Sequence, residues 1–183
     1  MKYHIKQVTD KVTIPYSIYV MFFLGIGLLS GSLVHFPLDP QRYSLIAGFG
    51  ALLFLIGAYF NEKIINKTDM LEQGFGKLML FLVSSLALAI GIGMIAGGTQ
   101  HFSDFPSYAM KLIPIGILLS VISYVLKNRI SLEKKEVYIL SGKTVAVILA
   151  IIPLLSFYAS SITTETENHN EVESHAEEAV GHH

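Results

Sequence analysis

Five stretches constrain this chain more than anything else in it. Residues 13–36, 43–60, 78–100, 112–126 and 144–162 contain no Asp, Glu, Lys or Arg. An uncharged apolar run of about 18 residues or more is long enough to cross the ~30 Å hydrocarbon layer as a helix. Helices are required because no water in that layer satisfies a bare backbone. The first run also invites reading as a cleavable signal peptide, but it is too long and no small-x-small cleavage site follows it. The expected fold class is therefore an all-α integral membrane protein with five transmembrane helices, its partner the lipid bilayer.

The chain also repeats itself. Gly25-Ile26-Gly27 leads to Gly31 and to His35-Phe36, and further on Gly91-Ile92-Gly93 leads in the same spacing to Gly97 and His101-Phe102. The constant offset that carries Gly25 onto Gly91 also matches Pro40 with Pro106, Gly50 with Gly116, Leu52 and Leu53 with Leu118 and Leu119, Ile56 with Ile122, and Ile64 with Ile130. These make twelve ungapped identities over residues 25–64, where so apolar a sequence would give roughly four by chance. Two helical hairpins of the same orientation are expected, residues 13–64 and 79–130, parallel repeats about a pseudo-two-fold axis along the membrane normal. Short outer connections, 37–42 and 101–107, close each hairpin.

The remaining segments connect or extend these hairpins. Residues 1–12 form a basic lead, 65–78 and 131–143 form loops, and 144–162 form a fifth span without a counterpart. A short surface helix is expected around Leu132–Leu140. The tail 163–183 carries six Glu, four His and no aromatic residue, too polar to bury a core, and is expected to be disordered. His169, His175, His182 and His183 could collect divalent metal weakly there. Eleven of the thirteen Lys and Arg lie in 2–11, 63–77 and 127–143; Arg42 and Lys111 are the exceptions. The positive-inside rule then places the N-terminus in the cytoplasm and the C-terminus outside, in a cell (inner or plasma) membrane. Asn66-Lys67-Thr68 matches a glycosylation sequon but falls on the cytoplasmic side.

Gly27, Gly31 and His35 are spaced by four, as are Gly93, Gly97 and His101, so each set lies along one stripe of its helix. Glycine at this spacing lets a neighbouring helix or a flat ligand come close. An ionisable residue at membrane depth is a functional suspect, and the repeat would bring the two imidazoles together near the outer face. Two ligand chemistries follow. A b-type haem would take His35 and His101 axially, with Gly27, Gly31, Gly93 and Gly97 giving the porphyrin room and Arg42 and Lys111 neutralising its propionates. A divalent metal ion would take the same pair with Asp39 and Asp104, and such N/O ligation suits Zn, Fe or Mn.

Several absences narrow the function. No ionisable Asp, Glu, Lys or Arg lies in the centre of any span, which disfavours a proton-driven pump or a charged-substrate carrier. No phosphate-binding glycine loop, nucleophile elbow or His-Glu-x-x-His is present. With no cysteine, disulfides and thiolate ligands are excluded. No nucleic acid binding is expected from basic loops so poor in aromatics, and no catalytic residue stands out. The expected function is electron transfer or metal handling rather than self-contained enzymology. The alternatives are a cofactor-free accessory subunit of a membrane complex, packing against partner subunits or other copies of itself, and a small-solute transporter or channel.

Overall fold

The computed structural model describes residues 9–180, with side chains for residues 9–161. The described chain is helical throughout, without strands. Five helices follow one another: α1 (Ile14–His35), α2 (Pro40–Phe60), α3 (Phe75–Gln100), α4 (Pro106–Lys127) and α5 (Lys134–Val180). Single π-turns, Thr9–Thr13 and Asn61–Ile65, precede α1 and extend α2. All five are long and apolar enough to cross a membrane. The 22 residues of α1 alone span about 33 Å, slightly more than the ~30 Å hydrocarbon layer.

Local chemistry fixes where the helices start. Pro40 and Pro106 each open a helix at a position where the missing N–H costs nothing. Ahead of Pro40, the Asp39 carboxylate accepts from the Arg42 backbone N–H at 3.0 Å and caps α2. Gly74, immediately before α3, has φ +104°, a conformation that side chains oppose.

Each hairpin has a glycine-mediated crossing at an equivalent position. A Cβ added at Gly25 of α1 would lie 2.5 Å from the Phe54 backbone N and 2.8 Å from the Gly50 carbonyl O on α2. On α3, a Cβ at Gly91 would lie 2.7 Å from Ser120 N and 2.9 Å from Gly116 O on α4. Gly91, Gly116 and Ser120 stand at the repeat offset from Gly25, Gly50 and Phe54, so the two crossings occupy equivalent positions. Backbone therefore meets backbone in both hairpins, which only a residue without a side chain allows.

The hairpins join through α1 and α3. The groove between α1 and α2, around Phe22, Ile26, Phe54 and Ala58, receives Leu86, Ala89 and Ile90 of α3. Further along, Gly93 of α3 rests on Ser30, whose hydroxyl donates to the Gly93 carbonyl at 3.1 Å, and Gly97 rests on Val34. Gly27 and Gly31, by contrast, face open space with nothing within 4 Å of an added Cβ. The expected two-fold arrangement is therefore corrected: a two-fold axis would bring both glycine stripes to the interface, whereas α3 uses its stripe and α1 uses a different face. The packing is head-to-tail.

Helix α5 packs on α4 and the turn before it, through Ile151, Leu155 and Ala159 against Phe102, Ala109 and Ile113. It differs from expectation at both ends. It begins at Lys134, absorbing most of the 131–143 loop and the short surface helix into one continuous element. It also continues to Val180, so the segment expected to be disordered is helical up to that residue. Its Glu and Ala residues are good helix formers, and no Pro or Gly interrupts it between Ile162 and Val180. The side chains of the His-rich tail, and residues 1–8 of the basic lead, lie outside the described residues.

Candidate functional site

His35 is the last residue of α1, and His101 follows the last residue of α3. Because α1 and α3 are the two helices that join the hairpins, both imidazoles arrive at the same end of the same interface. Their ring centroids are 4.7 Å apart, with the planes at 70°. Tyr43, in the first turn of α2, stacks on His35 at 5.4 Å and 23°. His35 is half-buried, and the His101 side chain is 33% exposed, so neither ring is sealed inside the bundle.

Each ring is held by one nitrogen. His35 Nδ1 lies 2.8 Å from the Gly31 carbonyl O. His101 Nδ1 lies 2.8 Å from Asp104 Oδ2. A carbonyl and a carboxylate only accept, so both Nδ1 atoms carry the hydrogen and donate it. In the neutral rings that leaves both Nε2 atoms with free lone pairs. A histidine whose Nδ1–H is fixed by a carbonyl or carboxylate is the usual form of a metal ligand, since that bond sets the tautomer and the ring orientation. The carbonyl ends of α1 and α3 also converge here, each equivalent to roughly −0.5 charge, and a cation would be stabilised between them.

A further hydrogen bond ties the end of α1 to α4. Proline at 37 has no N–H to give the Leu33 carbonyl, which would otherwise accept from residue i+4. Tyr108 of α4 fills that role, its hydroxyl donating to Leu33 O at 2.9 Å. Tyr108→Phe therefore leaves a carbonyl without a partner. It is expected to lower stability by about 1–3 kcal/mol, measured as thermal unfolding in detergent.

The other residues singled out in the sequence are placed differently. Asp104 orients His101. Asp39 caps α2 through Oδ1, and among the described residues no hydrogen bond or ion pair joins it to the histidines. Arg42 and Lys111 have exposed side chains that make no hydrogen bond or ion pair among the described residues. Gly93 and Gly97 are covered by Ser30 and Val34, while Gly27 and Gly31 open away from the interface, so the four glycines do not enclose a common slot. Among the described residues, no three His, Asp or Glu side chains form a metal-ligating group.

Sequence reasoning passed over Tyr43 and Tyr108. It also passed over a polar cavity of about 310 Å³ at the opposite end of the bundle, lined by Asn61, Glu62, Asn66, Lys127 and Asn128 among others. The available signal was positional. The repeat offset carries Asn61 and Glu62, at the end of α2, onto Lys127 and Asn128, at the end of α4. No family model matches the chain, and neither a curated protein nor a solved structure matches it.

Proposed function

We propose that this protein is a duplicated-hairpin membrane protein that holds a divalent transition-metal ion between His35 and His101 and acts in metal handling or electron transfer. The observation that carries this reading is the paired geometry: two imidazoles 4.7 Å apart, each tied at Nδ1 and free at Nε2. Two imidazoles supply two coordination positions, and water or an incoming ligand would supply the rest. Open positions suit an ion that is exchanged or reacts rather than one locked into a structural site. Imidazole donors suit Zn, Cu, Fe and Ni. The duplication is supported by the two glycine crossings at equivalent positions of the repeat. The basic segments favour a cytoplasmic N-terminus by the positive-inside rule, an orientation that would put the histidines at the outer face of a cell membrane.

A b-type haem fits this geometry less well. Rings in edge contact leave no room for a porphyrin between them, and the glycine stripes form no common wall for it. Haem ligation would require α1 and α3 to part at their ends.

The test is a Co²⁺ titration of the full chain in detergent, followed by visible absorption. The wild type should bind one equivalent per His pair, and the His35→Ala/His101→Ala double variant none. Equal binding by both would remove the site. Asp104→Ala should weaken Co²⁺ binding by about 10–100-fold, the usual effect of losing the group that orients a ligating histidine; no change would mean that Asp104 has no part in orienting the ligand.

A further inference from the structure

We propose that copies of this chain assemble head-to-tail in the membrane, with α1 of one copy seated in the groove between α3 and α4 of the next. The join between the hairpins carries the information, independently of the histidine site. Within the chain, the α1–α2 groove around Phe22, Ile26, Phe54 and Ala58 is filled by α3. In the second repeat, those positions become Leu88, Ile92, Ser120 and Tyr124. They line an open apolar groove of about 520 Å³ between α3 and α4, bordered on one side by Ile130, Leu132 and Leu140 of the following segment. The receiving surface therefore exists twice and is filled once.

The inserted surface is likewise used once. Leu86, Ala89, Ile90 and Gly93 of α3 enter the first groove or rest beside it, with Ala89 only 6% exposed. Their counterparts on α1 are Val20, Phe23, Leu24 and Gly27. All four are exposed, Phe23 at 62%. The small-residue end behaves the same way. Ser30 and Val34 cover Gly93 and Gly97, whereas their counterparts Ala96 and Gln100 are exposed and cover nothing.

A head-to-tail interface always leaves one unused copy of each surface at its ends, and identical subunits fill them by rotation into a ring or by continuing into an open chain. Helices confined to a bilayer and sharing one orientation close by rotation about the membrane normal. A second copy of this chain carries the shape that the vacant groove lacks. Helix α5 packs on α4 and borders the groove with Leu140, and Ile92 of α3 is left 51% exposed.

Cysteine cross-linking tests this directly, because the chain contains no cysteine of its own. Within one chain, a Cβ at Gly93 would lie 3.2 Å from Ser30 Cβ, so the Ser30→Cys/Gly93→Cys chain serves as the internal positive control. The equivalent pair between copies is Gly27 with Ala96. When a Gly27→Cys chain and an Ala96→Cys chain are co-expressed and oxidised in native membranes, a cross-linked heterodimer is expected. Each single variant alone should give no more product than Leu149→Cys, which lies on α5. Adding Gly31→Leu, which meets nothing inside the chain, should cut the heterodimer at least tenfold while thermal unfolding stays within a few degrees of the parent. Homotypic Gly27→Cys dimers, or no mixed product above the Leu149→Cys level, would overturn the proposal.

Discussion

Leucine at Gly25 or Gly91 is expected to prevent the bundle from forming stably, whereas leucine at Gly27 leaves the monomer folded. At Gly25 even the first side-chain carbon would fall 2.5 Å from a backbone nitrogen of α2, and at Gly91 2.7 Å from one of α4. Backbone inside a helix cannot turn aside as a side-chain tip can, so the two helices must separate. Overpacking costs about 1–3 kcal/mol where side chains yield, and separation of a whole hairpin sits at or beyond the top of that range. Gly27 occurs in the same motif two residues later, yet nothing lies within 4 Å of its added Cβ. Gly27→Ala should raise stability slightly, since alanine in a helix interior is favoured over glycine by about 1 kcal/mol. Thermal unfolding in detergent separates these outcomes, and equal loss from Gly25→Leu and Gly27→Leu would contradict the packing.

Either histidine alone is expected to be indispensable for the ion. His35→Ala or His101→Ala should reduce divalent-metal affinity by more than about 100-fold, beyond the range seen when only an orienting partner is lost. With two protein ligands, removing one leaves a single imidazole at an exposed site, and the second substitution then adds little. Such non-additivity separates a shared site from two independent surface histidines, where each change would remove about half the bound metal and the effects would add. The fold should not suffer, because neither ring is fully buried and each bonds only within its own helix end. Unchanged thermal unfolding in both variants would accompany the loss.

The parts of this architecture that were legible in the sequence are those that depend on one helix at a time. Charge-free runs of membrane length require helices wherever they occur, and Pro40 and Pro106 mark helix starts because a missing N–H is tolerated there and not inside. The spacing of Gly27, Gly31 and His35 fixes them on one stripe by the geometry of the helix alone. What the spacing cannot fix is which neighbour the stripe meets. Gly97 lies against Val34 while Gly31 faces outward, although the two sit in the same motif, because a repeated surface can be used once in a head-to-tail contact. A two-fold contact would have used it twice.

The rest depends on more than one element. Tyr108 supplies the Leu33 carbonyl with the partner that Pro37 cannot, a link between residues of different hairpins. Asp39 and Asp104 look equivalent in the sequence, each shortly after its histidine. Asp104 reaches back to the ring within its turn, whereas Asp39 sits directly before Pro40 and serves as the cap of α2. The charged residues around Lys134 and Glu136 mask a helix that in fact continues unbroken into the fifth span.

The most direct measurement is X-ray absorption at the K-edge of Zn²⁺ bound to the full chain. Two imidazole nitrogens should appear at about 2.0–2.1 Å, with the remaining first-shell scatterers oxygen. The imidazole contribution should vanish from the spectrum of the His35→Ala/His101→Ala variant loaded under the same conditions. A first shell of oxygen alone in the wild type, or an imidazole signal that survives the loss of both residues, would contradict a metal held between α1 and α3.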